Sequence, residues 1–371
     1  MRIPFCLIIF SLLLSSCGNS VKKPAEKKVT AVAKVIKPKE LPPLKEGEFK
    51  CSDEDFGDII ELKGTSLPVE QIFRVSETEM FANDSLMIVK NRSGEHTFMI
   101  YSLPDFKFIK FLGVNGRGPG EFQSPNIVKA FDNKCMCYIF EAGSSDIYSI
   151  NKNLTITKTD IKLSPSKRRF FSDKQLYSLS KDEFIYVESI KRGKAVFHTK
   201  IRKDSIDTNQ IMKLNFNKSY RNWAAYIGDF GVSKKHDRMV YAYKKFKRLV
   251  FSDLDGKKKR VLNFNSEAAK HGNVKDMLGP ENVTHYWGIS AQKNYVYVLY
   301  SGRSAIQVGK ENDKTSGYIF VEQFDWNGNP VRKFKLDHWG YFTVNEQEDT
   351  IYLASYIEEQ PFLKFSIPAM K

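Results

Sequence analysis

The chain has 371 residues, 27% of them charged and 13% aromatic, and a net charge of +15. This composition excludes a wholly disordered or collagen-like chain, and the length exceeds that of one small domain. The charge does not define a nucleic-acid surface. Arg2 and residues 22–45 hold almost half of it, and the remaining eight or so charges are spread over several hundred residues. Such a distribution tolerates acidic partners such as anionic glycans or lipid and predicts no nucleic-acid partner.

The first element is a secretory signal over residues 1–16. One basic residue, Arg2, precedes an apolar run over residues 3–14, shorter than the roughly 20 residues that span a bilayer. It ends in Leu14-Ser15-Ser16-Cys17, an aliphatic residue and two small residues before a cysteine. This resembles a bacterial lipobox. The resemblance implies cleavage before Cys17 and acylation of its thiol, a permanent membrane anchor. The stretch after it, Gly18-Asn19-Ser20-Val21-Lys22-Lys23, has no acidic residue, and a periplasm-facing envelope protein is expected. Residues 17–45 then read as a tether. Its part from residue 18 carries eight Lys against two Glu, with Pro24, Pro38, Pro42 and Pro43 and no aromatic residue. Like charges and prolines keep such a segment extended.

Residues 46–371 carry a repeat. Apolar strand cores recur around Leu86, Tyr138, Phe184, Met239, Val296 and Ile351, at spacings of 52, 46, 55, 57 and 55 residues. Val, Ile, Tyr and Phe dominate them, as pleated buried surfaces prefer. Each unit reads as about four strands. Asp253-Leu254-Asp255-Gly256 and Asp325-Trp326-Asn327-Gly328 mark hairpins, because Gly supplies the positive φ of tight turns. Six units of four antiparallel strands predict an all-β six-bladed β-propeller. A pair of β-sandwiches is the alternative fold, and it does not account for the spacing. Residues 59–62 are expected to complete the last blade, and 266–280 to hold the one short helix.

Gly113-Val114-Asn115-Gly116-Arg117-Gly118-Pro119-Gly120-Glu121-Phe122, followed by Pro125-Asn126, resembles the inter-blade connection of NHL and TolB-like six-bladed propellers. The C-terminal part, with its phrase Phe324-Asp325-Trp326-Asn327-Gly328-Asn329-Pro330, resembles the TolB-like propeller lipoproteins of Bacteroidetes. The resemblance covers residues 55–368 and implies a fold and an envelope location. The glycine-rich run lacks the Gly-Lys-Ser/Thr ending of a phosphate loop. Its glycines serve turns, and Arg117 and Glu121 are expected to pair structurally, the alternative being that they line the propeller face.

No catalytic signature or metal-ligand spacing is present, and no cofactor or metal is expected. Cys51, Cys135 and Cys137 are either buried thiols or one bridge from Cys51 with one thiol left over. Loops entering the inner strands place Trp223 after Arg221, Trp287 after His285 and Tyr286, and Trp339 after His338. Together with Arg303 these residues form a candidate aromatic and cationic rim for a sugar ring or an anion. Two functions compete. One is a binding or scaffolding module for an envelope protein, peptide or glycan. The other is an enzyme using His285, His338 and nearby carboxylates as acid and base.

Overall fold

The computed structural model describes residues 41–370 except 74, 76–77, 92–93, 131–134, 164–174, 204, 265–272, 315–316 and 356. Cys17, the signal segment and most of the tether lie outside the described residues. Six antiparallel sheets follow one another along the chain. Blade one spans residues 80–114, blade two 125–162, blade three 175–213, blade four 228–263, blade five 283–336 and blade six 340–366. Each predicted anchor lies in the second strand of its blade, and the predicted hairpins pair Arg248–Ser252 with Lys259–Asn263 and Ile319–Asp325 with Pro330–Leu336. Gly256 and Gly328 turn them at φ +71° and +78°.

The core is six wedges, each filled from two adjacent blades. Val196, Tyr226, Tyr241 and Val250, for example, join blade three to blade four. A second strand such as Cys135–Glu141 or Arg238–Tyr243 is therefore buried along its whole length. Both of its faces meet a neighbouring sheet, and it reads as a continuous apolar run. Outer strands alternate or face solvent, as Ser205–Lys213 does.

The N-terminal part of the folded unit is a strap. Leu44 is buried, Leu41 packs beside it, and Asn327 Nδ2 donates to the Pro42 carbonyl at 3.0 Å. The folded unit begins at Leu41, so the last residues of the expected tether belong to it. Strand β1 (Gly47–Lys50) runs parallel to the outer strand of blade four, and β2 (Ile59–Leu62) runs parallel to that of blade five. Strand β3 (Thr65–Leu67) pairs antiparallel with Phe362–Ser366 of blade six. The expected closure by residues 59–62 is thus corrected: they extend blade five, and β3 closes the ring. The chain passes the free edges of blades four and five on its way to blade six and pairs with each.

Helix α1 (Val274–Leu278) lies within the predicted 266–280, of which 266–272 are outside the described residues. Helix α2 (Ala305–Asn312) was not expected. Its signal is a capping box, Ser304 accepting from the Gln307 N–H while the Gln307 side chain accepts from the Ser304 N–H. The glycine-rich connection turns at Gly113 and Gly120, with φ +68° and +82°. Glu121 does not pair with Arg117. It accepts from the Gly118 N–H at 2.7 Å, and Arg117 is exposed. Cys51, Cys135 and Cys137 are free thiols: Cys51 sits beside blade four, and the other two are in blade two. No helix among the described residues is long and apolar enough to cross a membrane.

Candidate functional site

The six inner strands converge on a central channel with a cavity of about 460 Å³. They are Met80–Ala82, Pro125–Lys129, Gln175–Ser180, Gly228–Ser233, Val283–Ala291 and Gly340–Asn345. Each is the edge strand of its blade, so its unpaired backbone groups face the channel together with its side chains. Phe81, Phe230, Trp287, Phe342, Tyr177 and Tyr341 supply its aromatic surface.

Charged groups in the cavity are balanced locally. Glu79 takes Lys90 Nζ at 3.1 Å on one oxygen and the Ile127 N–H of the next blade at 2.8 Å on the other. Asp229 Oδ2 lies 3.6 Å from Lys244 Nζ. Burial pushes the Asp229 carboxyl above its ordinary range, and Lys244 only partly offsets this. Between blades three and four, Gln175 Nε2 donates to the Gly228 carbonyl at 2.6 Å and the Tyr177 hydroxyl to the Phe230 carbonyl at 2.8 Å. Lys129 leaves blade two and donates across the channel to the Ala291 carbonyl of blade five, 3.1 Å away. Burial pulls its pKa down, with Glu346 and Asp84 opposing. Its side chain spans the channel and lines the cavity.

Of the residues singled out from the sequence, Trp287 lines this pocket. Its indole Nε1 is sealed from solvent and has no hydrogen-bond partner. Trp339 is buried behind it, edge to face at 5.2 Å. Trp223 opens a short 3-10 turn, Trp223–Tyr226, and packs on the wedge between blades three and four. Arg221 is exposed on a separate surface cavity with Arg192, Phe216 and Tyr220. His338 is held between Asp337 at 2.7 Å and Glu358 at 3.1 Å. Arg303 clamps helix α2, donating to Glu311 and to the Tyr318 carbonyl, with its guanidinium 3.8 Å from the Tyr318 ring centre.

His285 and Tyr286 lie in the body of the sheet. The Tyr286 hydroxyl donates to Glu322 at 3.2 Å. Burial, followed by the charges of Lys247 and Lys245, pushes His285 down to about 4. The structure therefore brings Trp287 and Trp339 together and leaves the other six apart. His285 and His338 share no carboxylate. Among the described residues, no three His, Cys, Asp or Glu gather as a metal ion requires.

Asp229, Lys244, Glu79, Lys129, Tyr177 and Gln175 were missed. The available signal was a charge within or beside an otherwise apolar inner strand, as at Lys129 and Asp229. A burial-covered charge of this kind marks a channel wall more often than a solvated face.

These features define a six-bladed β-propeller with a strap-closed ring and an aromatic-walled central pocket. The family model described as TolB-like 6-blade propeller-like matches residues 55–347, and the chain belongs to that family. Two solved structures share the fold. One is a member of the duf4221 family from Bacteroides vulgatus, 15% identical, with a TM-score of 0.57, covering 82% of this chain and 95% of that one. The other is a protein from Bacteroides fragilis described as exported, 12% identical, with a TM-score of 0.50, covering 87% of this chain and 99% of that one. No curated protein matches the chain significantly.

Proposed function

We propose that this protein is a lipid-anchored binding propeller of the bacterial envelope, and that its central pocket takes a neutral saccharide. The observation that carries this reading is Trp287. It presents an aromatic surface to the pocket, on which the apolar face of a sugar ring would stack. Two of the pocket's carboxylates lie against a countercharge, Asp229 beside Lys244 and Glu79 with Lys90. Tyr177 and Tyr341 add aromatic surface on other blades. The cavity volume fits one or two sugar rings and lies within the usual range of small-ligand sites, about 300–1,000 Å³.

The test is a glycan array probed with the detergent-solubilised full-length protein, followed by calorimetry on any hit. Trp287→Ala is expected to weaken binding at least about tenfold while circular dichroism stays unchanged. Saturable binding that survives this change, or no glycan bound at all, removes the saccharide reading. The anchor is tested separately. Cys17→Ala is expected to abolish labelling by an alkyne fatty acid and to move the protein out of the membrane fraction. Retention of label would show acylation elsewhere.

A further inference from the structure

Outside the channel, three cations without a counter-ion share one surface cavity. Residues 191–193 turn from the second to the third strand of blade three, and residues 214–221 lead from its outer strand towards blade four. A cavity of about 500 Å³ lies between them. Arg192, Lys218 and Arg221 line it together with Phe216 and Tyr220, and no acidic residue does. None of the three cations makes an ion pair or a side-chain hydrogen bond with another described residue. Other cations nearby are matched: Arg248 holds both oxygens of Glu48, at 2.8 and 3.1 Å, and Lys247 holds Asp53. Like charges gathered on one cavity repel, and an anion bound among them relieves the repulsion.

The walls of this cavity are fixed. Asn215 Nδ2 donates to the Arg192 carbonyl at 2.7 Å, and the Asn215 side chain lies so close over Gly193 that a Cβ there would overlap it. The buried Tyr243 donates its hydroxyl to the Leu214 carbonyl at 2.6 Å. The buried Tyr226 shares its hydroxyl proton between the carbonyls of Asn217 at 2.6 Å and Tyr220 at 3.0 Å. An exposed connection is thereby pinned from below along its length, which lowers the cost of ordering it around a ligand. Phe216 carries Arg248 over its ring at 4.6 Å and is still 37% exposed. Asn327, which bonds Pro42, lies in the turn between the third and fourth strands of blade five. Antiparallel order puts such a turn at the opposite end of the blades from residues 191–193. The cavity therefore lies on the face of the ring away from the start of the folded unit.

We propose that this cavity binds an acidic sugar residue of a glycan, one carrying a carboxylate or a sulfate. The guanidinium forks of Arg192 and Arg221 take the oxyanion group in paired hydrogen bonds, and Lys218 adds charge. The exposed part of Phe216 takes the apolar face of the sugar. A phospholipid surface would meet the charge but not Phe216, which is set within the cavity wall. The site is separate from the channel pocket, and Trp287 takes no part in it.

The experiment titrates tetragalacturonate, and then a sulfated chondroitin disaccharide, into detergent-solubilised full-length protein at pH 7, with the heat of binding read at low and high salt. The expected result is saturable binding of at least one acidic probe that weakens as salt rises. Arg192→Ala and Arg221→Ala are each expected to weaken it at least about tenfold. Arg221→Lys is expected to recover only part of the loss, because lysine keeps the charge but not the fork. Both arginines are exposed, so circular dichroism is expected to stay unchanged in these variants. Lys152→Ala removes an exposed charge from blade two, and Trp287→Ala alters the channel; both are expected to leave binding of the acidic probes as it was. An equal loss in Lys152→Ala would reduce the effect to the protein's net charge and overturn the site. So would no saturable binding in the parent, an unchanged response in Arg192→Ala and Arg221→Ala, or Arg221-dependent binding to phosphatidylglycerol vesicles in place of either probe.

Discussion

Glu322→Gln is expected to cost the folded state about 3–5 kcal/mol, the range for removing one partner of a buried ion pair. Glu322 is the best-sealed charge of the cluster between blades four and five, at 0% exposure. It takes Lys333 Nζ at 3.0 Å, lies 3.4 Å from Lys247 Nζ, and accepts the Tyr286 hydroxyl at 3.2 Å. The amide keeps its shape but loses its charge, leaving the two desolvated ammonium groups with one fewer carboxylate. Tyr300 lies beneath both, 4.2 Å from Lys247 and 4.7 Å from Lys333, and such cation–π contacts compensate only partly. Urea unfolding monitored by tryptophan fluorescence measures the loss as a lower midpoint at constant slope. Replacing Lys247, Glu322 and Lys333 together by Met should cost less than the single change, because no buried charge is then orphaned. A loss below about 1 kcal/mol for Glu322→Gln would mean that the Glu322 charge does not hold the cluster together.

The second large effect concerns the strap. Phe56 ends the turn Asp53–Phe56 and is 4% exposed. It stacks on Phe264 of the segment after blade four at 6.2 Å and meets the Phe324 ring of blade five edge-on at 5.2 Å. Phe56→Ala should cost about 3–5 kcal/mol, the usual range for emptying such a site. The loss should be local in its first signs. Asp53 sits three residues earlier and grips Lys247 and Lys333, so the whole segment between β1 and β2 is pinned at these two points. Hydrogen exchange is expected to rise first in Lys259–Asn263 and Pro330–Leu336, the outer strands that β1 and β2 cover. Exchange that rises evenly over all six blades would show instead that the strap and the ring unfold as one unit.

Much of this architecture is legible before any coordinates. Each second strand is covered on both faces, so residues 295–300 or 351–354 appear as an unbroken apolar run, and six such runs at near-equal spacing leave little but a propeller. The turns are equally legible, since Gly256 and Gly328 stand where positive φ is required. The strap was not. Its strands are three or four residues long, mostly exposed, and pair with segments about two hundred or more residues away, as Gly47 does with Arg260 and Ile59 with Lys333. Nothing local distinguishes such an edge strand from a linker.

The site divides in the same way. Trp287 was visible as a rare residue at a repeated position, and the structure places it on the channel wall. Trp339 held the same position in its own unit, yet its ring turned behind Trp287. His285 and Tyr286 flanked Trp287 in sequence and went into the sheet interior, because neighbours on a strand face opposite sides and a register slip falls between them. Asp229, Lys244, Glu79 and Lys129 come from four segments and meet only because six inner strands converge on one axis. The sequence by itself determined the repeat, the blade count and the hairpin turns, because burial on both faces and turn geometry are local demands on residue type. Only the tertiary structure decided which charges meet, which tryptophan faces the channel and how the ring is closed, because those depend on radial packing between segments far apart in the chain.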